Sequence, residues 1–155
     1  MTIILDANLL LLFVVGSTSR DYIQKHKRLQ SYTDDDFILL MKMLSTASSI
    51  IVTPNTLTET SNLAGYIDDP ARTKIYEVFR ALVEAPENQE CFQECFIESR
   101  VAVARTEFVR LGLTDSVLLH IAAEAGTLLT ADVGLYLAAL YKGLKAENFN
   151  HYRNL

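Results

Sequence analysis

The sequence predicts an α/β protein built on a mainly parallel sheet, and three observations carry that reading. Short β-branched or apolar runs alternate with longer stretches whose apolar residues recur at helical spacing, the pattern of strands joined by crossover helices. Half of the 155 residues are hydrophobic, ample for the core of one domain spanning residues 1–155. Four acidic residues punctuate the ends of the short runs. Asp6 follows Thr2-Ile3-Ile4-Leu5, and Glu59 stands just past Ile50-Ile51-Val52-Thr53-Pro54. Asp115 closes Leu111-Gly112-Leu113-Thr114-Asp115, and Asp132 follows Thr127-Leu128-Leu129-Thr130-Ala131.

Taken in order, residues 2–5 read as a first buried strand and 8–15 as an apolar helix stopped near Gly16-Ser17. Residues 19–32 are polar and basic and read as a loop with some helix. Thr33 followed by Asp34-Asp35-Asp36 is a helix start: a capping residue, then acids favoured at the positive end of the helix dipole. Phe37, Leu40, Met41 and Leu44 continue it at helical spacing. Residues 49–53 read as a second strand, and Pro54 suits the N-terminus of a helix over 56–64. Asp69-Pro70 begins another helix running to about Glu84, with Ile75, Val78, Phe79 and Leu82 as its apolar stripe, and Pro86 breaks it. Residues 87–105 are the least legible: 96–103 fits a strand or a helix, and the second half of the stretch leans to helix. Thr114 reads as the cap of a helix through Ala125, closed by Gly126. Residues 127–130 read as a strand, 133–141 as a helix ending at Gly143, and 144–149 as a last short strand.

Composition excludes several classes. No apolar run approaches the length of a membrane span; the longest covers residues 9–15. No basic region precedes the first apolar stretch, and Asp6 interrupts it, so no signal peptide is expected and the cytoplasm is the default location. The only cysteines, Cys91 and Cys95, are spaced C-x3-C, outside the usual redox and zinc patterns, and read as small buried hydrophobes. His26, His120 and His151 show no ligand spacing, and His120 reads as a packed histidine within an apolar helix. No Walker A or G-x-G-x-x-G run is present, which disfavours nucleotide-cofactor enzymes. A net charge of −5 argues against a surface that grips nucleic acid everywhere, but a metal site is itself an acidic cluster. Local cations would then meet the substrate. Lys25, Lys27 and Arg28 are the candidates, with Arg100, Arg105 and Arg110 a second patch; each patch taken alone reads better as solvated helix surface.

The four acids are most informative together. A carboxylate where a buried strand yields to a helix lies at the carboxyl rim of a sheet, where open α/β folds bind ligands. Singly, Asp115 and Asp132 are explained as helix-start acids and Glu59 as a solvated helical charge. Asp6 resists such an account, because an unpaired carboxylate there is costly to bury. If the strands are neighbours, the four carboxylates face one crevice and raise one another's proton affinity unless a divalent cation neutralises them. Such a cation lowers the pKa of a bound water and steadies charge on a phosphoryl group.

The stretches Ile3-Ile4-Leu5-Asp6-Ala7-Asn8, Thr53-Pro54-Asn55-Thr56-Leu57-Thr58-Glu59, Leu111-Gly112-Leu113-Thr114-Asp115 and Leu129-Thr130-Ala131-Asp132 resemble, in order, the four acidic motifs of PIN-domain ribonucleases. The resemblance implies a three-layer α/β/α fold around a mainly parallel sheet. It also implies hydrolysis of RNA, less often DNA, with Mg2+ or Mn2+ as cofactor. By that resemblance Asp6, Glu59, Asp115 and Asp132 form the catalytic and metal-binding site, with Asn8 and Thr130 in support. The expected partners are an RNA substrate, an antitoxin protein if the chain is a VapC-like toxin, and a second copy in a homodimer. The chain departs from the commonest pattern in Ser116 after Asp115 and in a longer segment over residues 17–32. Three rival readings stand beside it: a PIN-like module that binds protein or nucleic acid without cutting, a DNA-directed nuclease, and a haloacid-dehalogenase-type phosphotransferase. The last expects a second Asp two residues after the first, where this chain has Asn8.

Overall fold

The computed structural model describes residues 1–85 and 92–153. Pro86 and Cys91, and with them residues 87–90 of the ambiguous stretch, lie outside the described residues. Five strands, β1 (Thr2–Leu5), β2 (Ser49–Val52), β3 (Phe92–Glu94), β4 (Thr127–Thr130) and β5 (Ala146–Asn148), form one sheet in the order β3-β2-β1-β4-β5. Every pairing is parallel. The central pair aligns Ile4 of β1 with Leu128 of β4 and, on the other side, with Ile51 of β2.

Parallel strands are covered on both faces, so their sequences run apolar without a polar face. Alternate side chains still point to opposite sides. Ile3 and Leu5 of β1 enter one core with Ile50, Val52 and Leu129, while Ile4 joins Ile51 and Leu128 in the other. The first core lies under α1 (Ala7–Thr18), α2 (Asp21–Lys25), α3 (Asp34–Ser45), α4 (Pro54–Ala64) and α5 (Ala71–Glu84). The second lies under α6 (Ser99–Val103), α8 (Leu113–Glu124) and α9 (Val133–Tyr141), with the short α7 (Phe108–Leu111) beside α8. The result is a helix–sheet–helix sandwich, the expected fold class.

Helix α1 explains the apolar run at residues 9–15. A helix apolar all round is a buried one, and α1 packs against α2, α3, α4 and α5 as well as the sheet. Leu9 through Leu12, Val14 and Val15 are all buried. Among the described residues no helix is long and apolar enough to cross a membrane.

Several elements differ from the sequence reading. The edge strand β3 was not foreseen, since it is three residues long and only Phe92 among them is even partly buried, its ring 5.1 Å from that of Phe13. It is a strand because the edge of β2 offers backbone partners; Cys95 N–H extends the ladder to Val52 O at 2.9 Å. Residues 96–98 are irregular, and helix begins at Ser99. Helix α4 starts earlier than expected, at Pro54, with Thr53 and Thr56 in a reciprocal capping box. Helix α8 is not capped by Thr114. It begins at Leu113, its N-cap is Gly112, and no side chain caps it. Gly112 has φ +87°, a left-handed conformation that lets the chain turn from α7 straight into α8. His120 is only partly buried and stands 3.4 Å from Glu124.

Candidate functional site

The strand order creates a crevice. Chain progression runs from β1 to β2 and β3 on one side and reaches β4 and β5 on the other. The helices that leave the adjacent strands β1 and β4 therefore depart to opposite faces, α1 to the first layer and α9 to the second. Such a switch point opens a cleft at the carboxyl ends of the strands. Asp6 ends β1 at that point, and Thr130 and Asp132 lie at the matching end of β4.

Asp6 is the N-cap of α1 and is only 6% exposed. Its Oδ1 accepts the Ala7 N–H at 2.7 Å, and its Oδ2 accepts the hydroxyl of Thr130 at 2.6 Å. Thr130 is fully buried. Having spent its proton on Asp6, its Oγ1 accepts the N–H of Asp132 at 2.9 Å. One hydroxyl thus ties the two strand ends together. Asp132 in turn caps α9, its Oδ1 accepting the Leu135 N–H at 2.8 Å. Glu59 reaches the cleft from the second turn of α4, where its Oε1 accepts the Thr114 hydroxyl at 2.7 Å. Thr114, which sequence patterning assigned to a cap, instead links α8 to α4. Asp115 projects from the first turn of α8.

These residues line one cleft of about 430 Å3: Asp6, Asn8, Glu59, Thr114, Asp115 and Asp132, with Ala7, Leu111, Gly112 and Leu113 completing the wall. Asn8 is exposed on the first turn of α1. No Lys, Arg or His is among the lining residues. The proton affinities register this uncompensated charge. Burial pushes the Asp6 carboxyl above its ordinary value, with smaller contributions from Asp132 and Glu59, against the two hydrogen bonds that favour its ionised form. Asp115 is pushed up to about 7, first by burial and then by the charges of Asp6, Asp132 and Glu59. No hydrogen bond is among the causes acting on Asp115.

Four carboxylates without a cation of their own suit a hard divalent metal as a donor set. Among the described residues, however, no three Asp, Glu, His or Cys side chains stand close enough to form a ready cage. A cation here would meet one or two carboxylates directly and the others through water, which is the habit of Mg2+. The residues fit the metal on those terms.

The expected substrate cations are elsewhere. Lys25, Lys27 and Arg28 do not line the cleft. Lys27 N–H donates to Tyr66 O, and the Arg28 guanidinium lies 4.4 Å from the Tyr66 ring centroid, beyond the far end of α4. His26 between them is buried, its ring 3.3 Å from Ala64 O. In the second patch, Arg100 pairs with Glu98 at 2.7 Å and Arg105 with Glu107 at 3.4 Å. Arg110 borders a separate, largely apolar groove of about 1060 Å3 along α7 and α9, which shares Leu111 with the acidic cleft but none of its carboxylates.

Fold and site together define an α/β protein with a five-strand, all-parallel sheet and an acidic cleft at its switch point. No family model matches the chain, and no curated protein matches its sequence.

Proposed function

We propose that this chain is a metal-dependent nuclease of the PIN-like type that hydrolyses RNA phosphodiester bonds, using Mg2+ or Mn2+ at Asp6, Glu59, Asp115 and Asp132. The observation that carries the reading is the meeting of these four acids, from four different elements, in one cleft whose lining holds no positive charge. Without a cation, that arrangement only costs stability. The order of the acidic motifs along the chain and the all-parallel sheet support the PIN-like assignment.

When bound, the cation supplies Lewis-acid chemistry, neutralising charge on the phosphoryl group and lowering the pKa of water. The protein's own residues supply the rest. Asp6 and Asp132, fixed relative to each other through Thr130, hold the cation side of the cleft. Asp115, on the first turn of α8 in the same lining, would orient water beside the cation. Glu59, tethered by Thr114 and open to solvent, orients water or substrate at the mouth. Asn8 offers an amide to the same mouth. Lys25, Lys27 and Arg28 have no part in this reading. A toxin role fits it, with an antitoxin protein and a second copy of the chain as partners and the cytoplasm as the place of action.

A second reading, a PIN-like module that binds without cutting, is favoured by the lack of a ready metal cage. Incubating the protein with Mn2+ and mixed structured and unstructured RNA and DNA separates them. The nuclease reading expects RNA cleavage that Asp6→Asn abolishes. Equal inertness of wild type and Asp6→Asn on all substrates supports the binding module, and cleavage of DNA alone supports a DNA-directed enzyme.

A further inference from the structure

The cleft is braced from outside by the last described turn of the chain. After β5, the residues of a 3-10 turn (Phe149–His151) and Arg153 fold back over the β4–α9 connection. Asn150 Nδ2 donates to Ala131 O at 3.0 Å. Ala131 is the residue between Thr130, which binds Asp6, and Asp132. The Asn150 amide is itself oriented: its Oδ1 accepts Arg153 Nη1 at 3.0 Å, which leaves its NH2 for Ala131. Arg153 is oriented in turn by a two-pronged ion pair, Nε to Asp36 Oδ1 at 3.0 Å and Nη2 to Asp36 Oδ2 at 2.9 Å. Its Nη2 also donates to Ser31 O, and its guanidinium lies 4.7 Å from the Tyr32 ring centroid. Both charged side chains are buried, 8% and 6% exposed. Asp36 is locked as well, accepting the Thr33 N–H at 2.8 Å in the capping box of α3.

These contacts form one unbroken chain: α3, Asp36, Arg153, Asn150, Ala131, and then the turn carrying Thr130 and Asp132. Asp132 lines the cleft and Thr130 binds Asp6 beside it, both from the β4 half of the switch point, and the peptide carbonyl between them, Ala131 O, is the group gripped. A bidentate guanidinium–carboxylate pair fixes direction as well as distance, a stiffer brace than an exposed pair provides.

We propose that Asn150 and Arg153 are positioning residues for the acidic cleft, holding the β4–α9 turn so that Thr130 and Asp132 face Asp6. Neither touches a reacting atom. The role rests on the metal-site reading for its consequence in chemistry, but its physical content, the set of the turn, stands apart. Outer-shell partners of metal ligands commonly change affinity by about 10–100-fold.

The test is Asn150→Ala, with Arg153→Lys as the second variant, since Lys keeps the charge but cannot bind Asp36 and Asn150 together. Two readouts are taken on the full chain: Mn2+ affinity by calorimetry, and hydrogen exchange at the amides of Asp132 and Leu135, whose acceptors are Thr130 Oγ1 and Asp132 Oδ1. The expected result is Mn2+ binding weakened about tenfold or more, with faster exchange at those two amides and unchanged exchange in β1 and β2. Cleavage, where present, needs more Mn2+ for its half-maximum but returns to the wild-type plateau. If the wild type binds no Mn2+, the metal reading fails, and selective loosening of the two amides still supports the brace. Unchanged exchange at both amides in both variants, or loosening spread evenly over the sheet, overturns it.

Discussion

Replacing Asp115 by Asn should stabilise the metal-free protein, and by an amount that depends on pH. The carboxyl of Asp115 is raised from 3.8 to about 7 by burial and by the three neighbouring acids. That rise corresponds to about 4 kcal/mol at about 1.4 kcal/mol per pKa unit. The cleft is open on one side, and solvent screening reduces the realised figure to roughly 1–3 kcal/mol. The sign follows from proton linkage. Between pH 3.8 and about 7 the folded protein binds the Asp115 proton more tightly than the unfolded chain does, so stability falls as pH rises and levels off above 7. In a domain of this size each kcal/mol moves Tm by roughly 2–4 °C, so Asp115→Asn should gain about 2–12 °C at pH 8 in EDTA. The assay is thermal unfolding by circular dichroism from pH 4.5 to 8.5, with and without Mn2+. The gain should shrink towards pH 4.5, and Mn2+ should narrow it at pH 8 by stabilising the wild type more. A variant less stable than wild type at pH 8 in EDTA, or a gain independent of pH, would refute the argument that Asp115 is a strained charge.

Other substitutions test separate links. Thr130→Val leaves Asp6 Oδ2 and the Asp132 N–H without their shared partner, which should cost roughly 1–3 kcal/mol in urea unfolding and weaken Mn2+ binding. Gly16→Ala places a Cβ 2.2 Å from the Phe37 ring in the α1–α3 contact. Overpacking of that kind should outweigh the helix propensity of Ala and lower stability by about 1–3 kcal/mol. The triple change of Lys25, Lys27 and Arg28 to Ala should leave kcat/KM within a factor of about three, because charges remote from the cleft are screened; a loss of tenfold would bring this patch back as a substrate contact.

Much of the frame was legible because burial writes itself into short apolar runs. β1, β2 and β4 are four-residue runs covered on both faces, and α9 falls on the residues its pattern indicated. The cleft was legible because sheet rims follow strand ends, so Asp6 and Asp132 locate themselves once the strands are placed. β3 was hidden because an exposed edge strand needs only backbone partners, which no side-chain pattern records. Threonine before an acid is a good cap signal, but Gly112, at φ +87°, already starts α8 at Leu113, which leaves Thr114 inside the first turn. The brace through Asp36, Arg153 and Asn150 was invisible, since Asp36 and Arg153 are 117 residues apart and neither belongs to a periodic pattern. Lys25, Lys27 and Arg28 are neighbours in sequence, and the fold carries them past the end of α4, outside the lining of the acidic cleft.

On the proposed function, Asp6, Glu59, Asp115 and Asp132 together bind divalent metal. Titrating the metal-free protein with Mn2+ by calorimetry at pH 6.5, in two buffers of different ionisation enthalpy, tests it most directly. The expected result is a saturable site in the wild type that releases protons on binding, because the Asp115 carboxyl is raised to about 7 and a cation displaces its proton, with no such site in Asp6→Asn. Binding of equal affinity in wild type and Asp6→Asn, or no saturable binding by the wild type at millimolar Mn2+, would contradict it.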